Sequence, residues 1–387
     1  MKAMKLMLVC LLALFIMLPR AAEAAWQPQL AIGLEKGHEA INIRLPQGGQ
    51  ACLGTSSKPV KEFSAGSQLS ITCRGGHLLL NGKQMKGSEI IIKAGAGQEQ
   101  QNYYFTFNQN DYRGSAKVII KNGKLTLINL IDTEDYLAGV VPEEMPSSWH
   151  KEALKAQALA ARTYALQNRG RHEADGFDLC SNTHCQQYLG MKSETQAATK
   201  ALEDTRGEVL VYQGQLIEAL FHTDSGGMTE NSEDVWGSHL PYLRAAEEAE
   251  KYTKAWKNTF NAERIASLVS KQGGKDIGEL KEIRLSTLKI GKSAKDRSAS
   301  GRVKQAVFVG RKGQVTISGN DLRSLLGLRS TMFNMVLKHK QVLVEGYGWG
   351  HGLGMSQWGA KALAERNKTY SEILFHYYQN TAIKKLY

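Results

Sequence analysis

Over the first third of the chain, apolar and polar positions alternate in short runs. "AINIRLP", "QLSITC", "HLLLNGKQM", "EIIIKA", "YYFTF" and "AKVIIKNGKLTLINLI" carry period-two or β-branched patterns that predict strands between Gln29 and Leu130. Asn81-Gly82 and Asn122-Gly123 suit the positive φ angles of two-residue hairpins. From Ser147 the period lengthens. "SSWHKEALKAQALAARTYALQNRG" predicts a long helix, capped by Ser147 or Ser148 and closed by Gly170. "SETQAATKALEDTRG" predicts a second helix, with Ser193 and Gln196 as a capping box and Gly207 at its end. "EVLVYQGQLIEALFH" reads as a hairpin turning at Gln213-Gly214. Residues 245–301 are Lys-rich and weakly patterned. "RVKQAVFVGRKGQVTISG" returns to strands, and "NDLRSLLGL" predicts a short helix capped by Asn320. The tail runs strand, glycine-rich loop, helix. The expected fold class is α+β: a β-rich segment over 25–111, then a mixed domain of antiparallel strands and a few helices over 112–387.

The extreme N-terminus changes that picture. Lys2 and Lys5 precede an apolar stretch from Leu6 to Leu18, and Ala22 and Ala24 occupy small-residue cleavage positions. Residues 1–24 therefore read as a secretory signal, with an uncleaved anchor as the alternative. The apolar stretch is shorter than the roughly 18 to 20 residues that span a bilayer. The mature chain is expected outside the cytoplasm, touching membrane only if that segment stays in place. Its 387 residues, 42% hydrophobic and 22% charged, are ordinary globular composition with length for about two domains. A net charge of +12 suits an anionic surface, and export sets nucleic acid aside as a partner. Of five cysteines, Cys10 lies in the signal segment. Cys52 and Cys73 are expected to form a disulfide in an oxidising compartment.

Candidate chemistry collects in the second half. In "VVPEEMPSSW", Glu143 and Glu144 sit between Pro142 and Pro146. A positioned carboxyl can cleave a glycosidic bond if it begins protonated, and an apolar wall or a neighbouring carboxylate would keep it so. In an extended stretch the two acids would point in opposite directions, one to a site and one to solvent. The plainer reading is a pair of anions stabilising a helix N-terminus. On the next helix Lys155 and Arg162 are seven residues apart and share a face. They could contact a substrate, or simply snorkel. "HEADGFDLCSNTHCQQY" brings His172, Cys180, His184 and Cys185 within fourteen residues, a donor set suited to tetrahedral zinc. A Cys180–Cys185 disulfide competes with that reading. "DSGG" places Ser225 in a tight turn that lacks the frame of a nucleophile elbow, so a substrate-facing turn is expected. "GYGWGHGLGMSQWGA" lacks the signature of a phosphate loop. Its Trp349, His351, Gln357 and Trp358 offer aromatic platforms and hydrogen bonds suited to sugar rings.

Taken in order, "YRGSAKVII", "LINLIDTEDYLAGVVPEEMP", "KAQALAARTYAL", "DSGGMT" and "GYGWGHGLGMSQWGAKALAE" resemble the stage II sporulation protein D family, which includes amidase-enhancer proteins. The resemblance covers about residues 112–244 and 302–387, and the stretch 245–301 matches poorly. It implies an extracytoplasmic, wall-associated lytic transglycosylase with its helices and strands around a glycan cleft. Such an enzyme cuts the β-1,4 bond of peptide-stripped peptidoglycan strands and leaves a 1,6-anhydromuramic end. It implies Glu144, of the E-M-P triplet, as the catalytic acid. Lys155 and Arg162 would line the groove, with Tyr188, Ser225, His351, Gln357 and Trp358 as further substrate contacts. No cofactor is implied for catalysis, but His172, Cys180, His184 and Cys185 would hold a structural zinc. An amidase is the implied protein partner, and the alternative function is a non-catalytic enhancer of that amidase.

Overall fold

A computed structural model describes residues 28–54, 56, 58–95, 103–248 and 255–387; the expected signal segment lies outside them. The fold is α+β, with antiparallel-rich sheets and eight α-helices among the described residues. These helices are α1 (Thr133–Glu144), α2 (Lys151–Gln167), α3 (Gln196–Asp204), α4 (Ser232–Trp236), α5 (Ala262–Gln272), α6 (Gly319–Leu326), α7 (Gln357–Glu365) and α8 (Tyr370–Tyr377). No described helix is long and apolar enough to cross a membrane.

The alternating runs form two large sheets. One has seven strands in the order Leu179–Cys180, Gln29–His38, Lys124–Asp132, Ser115–Lys121, Glu89–Ala94, Gly49–Leu53 and Pro59–Phe63. The other has six: Asn110–Arg113, Tyr104–Phe107, Ala40–Leu45, Ser67–Arg74, His77–Leu80 and Lys83–Gln84. The hairpin turns fall where Asn-Gly placed them, with φ of 50° and 78° at Asn81-Gly82 and 50° and 73° at Asn122-Gly123. The seven-stranded sheet runs across the division drawn at residue 111, because Gln29–His38 pairs with Lys124–Asp132. No disulfide joins Cys52 to Cys73, contrary to expectation. Cys52 is buried in the first sheet and Cys73 lies in the second, each as a thiol.

Helix α2 lies between two hydrophobic cores. Ala158, Ala161 and Ala165 pack into the core of the two sheets. Ala153, Leu154, Ala156, Leu159 and Ala160 pack into a second core with α7 and α8. Its alanine-rich sequence follows from burial on nearly every side, where larger residues would hold the cores apart. His150 caps it by accepting from the Glu152 N–H, in place of Ser147 or Ser148, and Asn168 ends it before Gly170 is reached. Helix α3 is capped by Thr195 rather than Ser193, and α6 by Ser318 rather than Asn320. In each case the hydroxyl nearest the first helical turn takes the role. A third core runs from Trp256 to Val344 and gathers α5, α6 and two three-stranded sheets, giving the Lys-rich stretch a packed module.

Arg162 is fully buried between these cores. Its Nε and Nη2 each donate to Glu134 at 2.8 Å, and Nη1 donates to the Glu208 carbonyl at 3.1 Å. Tyr387 Oη also donates to Glu134, at 2.6 Å. Burial works to raise the Glu134 carboxyl, but Arg162, Tyr387 and the Gly207 N–H together carry it below its ordinary value. Removing one partner of such a pair strands the other in the interior. Arg162→Ala is therefore expected to reduce unfolding free energy by about 3–5 kcal/mol, read from the urea midpoint. A variant as stable as the wild type would refute this role for the pair.

Candidate functional site

Glu143 and Glu144 do not lie at a strand-to-helix corner. "TEDYLAGVVPEE" is helical, and the two acids close α1 at its C-terminus with Pro142 inside the last turn. The break follows from the second proline. A residue before proline is driven into extended conformation, and Met145 adopts φ −138° and ψ 128°. Met145 is itself buried in the second core, so the chain leaves the helix along a fixed path. Further up α1, Gly139 packs against Tyr188, whose ring would lie 2.8 Å from any added Cβ. The acids diverge: Glu143 is exposed and accepts from Ser193 Oγ, whereas Glu144 lines a cavity of about 690 Å³.

Besides Trp236 of α4, six parts of the chain wall that cavity. They are the end of α1, the C-terminal half of α2, the loop at Thr183–Cys185, the strand Phe221–His222, Arg323 of α6, and the glycine-rich loop running into α7. Glu144 Oε1 accepts from the Gln187 N–H at 3.3 Å, and the Gln357 side chain also donates to its carboxyl. Burial pushes the Glu144 carboxyl above its ordinary value and the charge of Glu143 adds to that, against the two hydrogen bonds. A helix C-terminus is also an unfavourable place for an anion. The site thus favours a protonated carboxyl in contact with a cleft.

Two neutral histidines sit beside it, with ring centroids 5.4 Å apart. His351 Nδ1 accepts from the Leu353 N–H at 3.0 Å, and burial with the nearby charges of Arg302 and Arg323 lowers its pKa to about 4. His222 is held well below its ordinary value by burial, then by His351 and Arg302. Its Nδ1 donates to the Leu353 carbonyl at 3.1 Å. That leaves Nε2 as a buried acceptor with no partner among the described residues. Trp236 and Trp349, both about half exposed, stand at the cavity and offer flat apolar faces. The glycine loop is shaped chiefly by the protein itself. At Gly352 a Cβ would meet the Arg302 guanidinium at 2.5 Å, and at Gly354 the Leu220 carbonyl at 2.0 Å.

Of the residues expected to meet substrate, Glu144, Trp349, His351 and Gln357 share this cavity. The others do not. Arg162 is locked to Glu134 in the interior. Lys155 turns to Asp204 at 3.0 Å and Glu152 at 3.5 Å, over the Tyr370 ring. Tyr188 is buried and donates to Asn129 at 2.9 Å. Ser225, also fully buried, accepts from the Gly227 N–H at 3.0 Å, so its turn does not face a substrate. Trp358 packs on Trp149 with centroids 4.8 Å apart. Sequence reasoning passed over His222, three residues before Ser225, along with Trp236 and Arg323. His222 could have been weighed as a titratable group next to the "DSGG" turn. Nothing local marked the other two, which reach the cavity from separate elements.

The four candidate metal ligands converge, with their donor atoms all within 4.8 Å of one another. His172 Nε2 lies 3.3 Å from Cys185 Sγ, and His184 Nδ1 lies 3.6 Å from each sulfur. Edges of a tetrahedron around zinc, with bonds of about 2.0 Å to nitrogen and 2.3 Å to sulfur, run to about 3.3–3.8 Å. Three of these separations match such edges, so the four side chains could close on a zinc ion, and Cys180 and Cys185 stand as free thiols. His184 and Cys185 also form part of the wall of the Glu144 cavity.

Comparison with known proteins places this geometry. The stage II sporulation protein (SpoIID) family profile matches residues 121–212, which contain Glu144 and the four metal-ligand candidates, and a domain of unknown function matches 230–354. Stage II sporulation protein D of Bacillus subtilis is 36% identical over 275 residues, 66% of this chain and 75% of that protein. An uncharacterized protein of Brachyspira hyodysenteriae is 32% identical over 312 residues, covering 77% of this chain and 79% of its own length. The amidase enhancer of Bacillus subtilis is 32% identical over 288 residues, 64% of this chain but 40% of that larger protein. With a relative at this identity matched over three quarters of its length, the chain belongs to the stage II sporulation protein D family.

Proposed function

We propose that the protein is an extracytoplasmic lytic transglycosylase acting on peptide-stripped peptidoglycan strands in a sporulation- or wall-related role. One observation carries the reading: a carboxyl held toward its protonated form at the end of α1, opening on a cleft with two half-exposed tryptophans. Protonated Glu144 gives its proton to the glycosidic oxygen, and the C1–O4 bond breaks as the sugar gains oxocarbenium character. The resulting carboxylate takes the proton of the muramic 6-hydroxyl, and O6 bonds to C1. One carboxyl thus serves both halves, and its proton is restored at the end. The Trp faces suit sugar rings, and His222 Nε2 suits a substrate hydroxyl. His172, Cys180, His184 and Cys185 hold a structural zinc that stiffens the loop beside the cleft.

A second reading rests on the similarity to the amidase enhancer: a wall-binding protein that recruits an amidase and cleaves nothing. Mass spectrometry of products from peptide-free glycan separates the two. An anhydromuramic end is expected; a reducing end would point to water as the nucleophile, and no product to the enhancer.

Glu144→Ala is expected to lower cleavage by about 100-fold or more while leaving the fold intact, and wild-type rates in that variant would remove Glu144 from the mechanism. The same carboxyl sets a pH dependence of stability. Its folded pKa lies above its ordinary 4.5, so ionising it costs stability as pH rises through the folded value. Glu144→Gln is expected to be more stable than the wild type at neutral pH and to lose that advantage below about pH 4. Urea midpoints across the pH range check the sign. For the metal, elemental analysis should find about one zinc per chain, lost in Cys185→Ser; a two-hydrogen mass deficit across Cys180 and Cys185 would refute the site.

A further inference from the structure

Arg323 projects from α6, in the third core, into the same cavity as Glu144. It is half-buried there, and no carboxylate among the described residues pairs with it. Several other arginines of the fold have their donors engaged. Arg244 grips Glu233 with two bonds of 2.6 and 2.7 Å. Arg297 donates to three carbonyls, Ser286, Gly301 and Phe333. Arg171, which also lines the cavity, donates to Tyr164 Oη at 3.2 Å and Asn168 Oδ1 at 3.1 Å. A partly desolvated guanidinium with its donors unused is costly to keep unless a ligand uses them. It acts electrostatically on His351 and His222, both neutral, which neither neutralise it nor compete for an anion.

We propose that Arg323 is a specificity residue that binds a carboxylate on the glycan strand, the lactyl carboxylate that muramic acid exposes once its stem peptide has been removed. This rests on the glycan reading above and names the residue that would sense the substrate's state. The hydroxyls and N-acetyl groups of the strand are neutral, so the lactyl group is its source of negative charge. With the peptide attached, that carbon is an amide and offers no charge. A planar guanidinium matches a carboxylate with two parallel hydrogen bonds, and an amide cannot replace that pairing. The cleft would thereby prefer stripped strands through a guanidinium whose donors no group of the described residues takes up.

Binding rather than cleavage tests this. The full mature chain carrying Glu144→Gln is titrated with peptide-free glycan and with the same glycan after its carboxyls are converted to primary amides. The free-acid glycan is expected to bind about 10- to 100-fold more tightly. Adding Arg323→Ala should bring the ratio close to one, and Arg323→Lys should restore part of it. Arg323 makes no side-chain hydrogen bond among the described residues, so thermal melting should match the parent. Equal binding of the two glycans by the parent, or a preference that survives Arg323→Ala, overturns the assignment and leaves the glycan reading intact. Failure of both glycans to bind overturns both.

Discussion

Helix α1 is held at both ends, and the position of Glu144 depends on it. At its start, Thr133 donates to the Pro28 carbonyl at 2.5 Å, and Glu134 is gripped by Arg162 from α2. At its end, Pro146 forces Met145 out of the helix and the second core takes the Met145 side chain. Twelve residues are thereby fixed between two anchors, and the last of them carries the carboxyl. A helical geometry also turns adjacent side chains by about 100° rather than the 180° of a strand, so Glu143 can meet Ser193 while Glu144 meets the cleft.

That arrangement resolves an electrostatic conflict. Two cations beside a buried carboxyl would hold it ionised. Lys155 and Arg162 are close in sequence to Glu144, but each is already paired, Lys155 with Asp204 and Arg162 with Glu134. Glu144 is left with burial, a neighbouring carboxylate and two hydrogen bonds. The buried arginine therefore bears on Glu144 only by seating the helix. The cations that do reach the cavity, Arg171 and Arg323, come from elsewhere in the fold.

The module between Trp256 and Val344 has its own core, yet it does not stand apart from the site. Arg302 from its border donates to the Ser225 carbonyl at 2.8 Å and lies against Gly352. Arg329 stacks over Trp349 at 4.8 Å. These contacts shape the glycine-rich loop from behind, so that its aromatic and imidazole groups face the cavity. The same module contributes Arg323, which makes one wall of the cleft depend on a segment that the family profile does not reach.

Local physics made much of this chain legible. Alternating runs became strands, Asn-Gly pairs became hairpin turns, and an alanine-rich stretch became a buried helix, because each depends on periodicity or backbone angles that neighbouring residues set. The E-M-P triplet singled out a carboxyl that the fold sets at a cavity, and the four soft donors in a short loop are side chains that the fold brings together. Helix caps were misplaced by a few residues, since several hydroxyls compete and the packed entry angle chooses among them. The partners of charged groups were decided only by tertiary structure. Whether a cation on a helix face meets substrate or an acid depends on what packs against that face, and for Arg162 that was a residue 28 positions away. The cleft likewise gathers His222, Trp236 and Arg323 from separate strands and helices. No local period records such a meeting, because it arises from the closure of three cores rather than from any one segment.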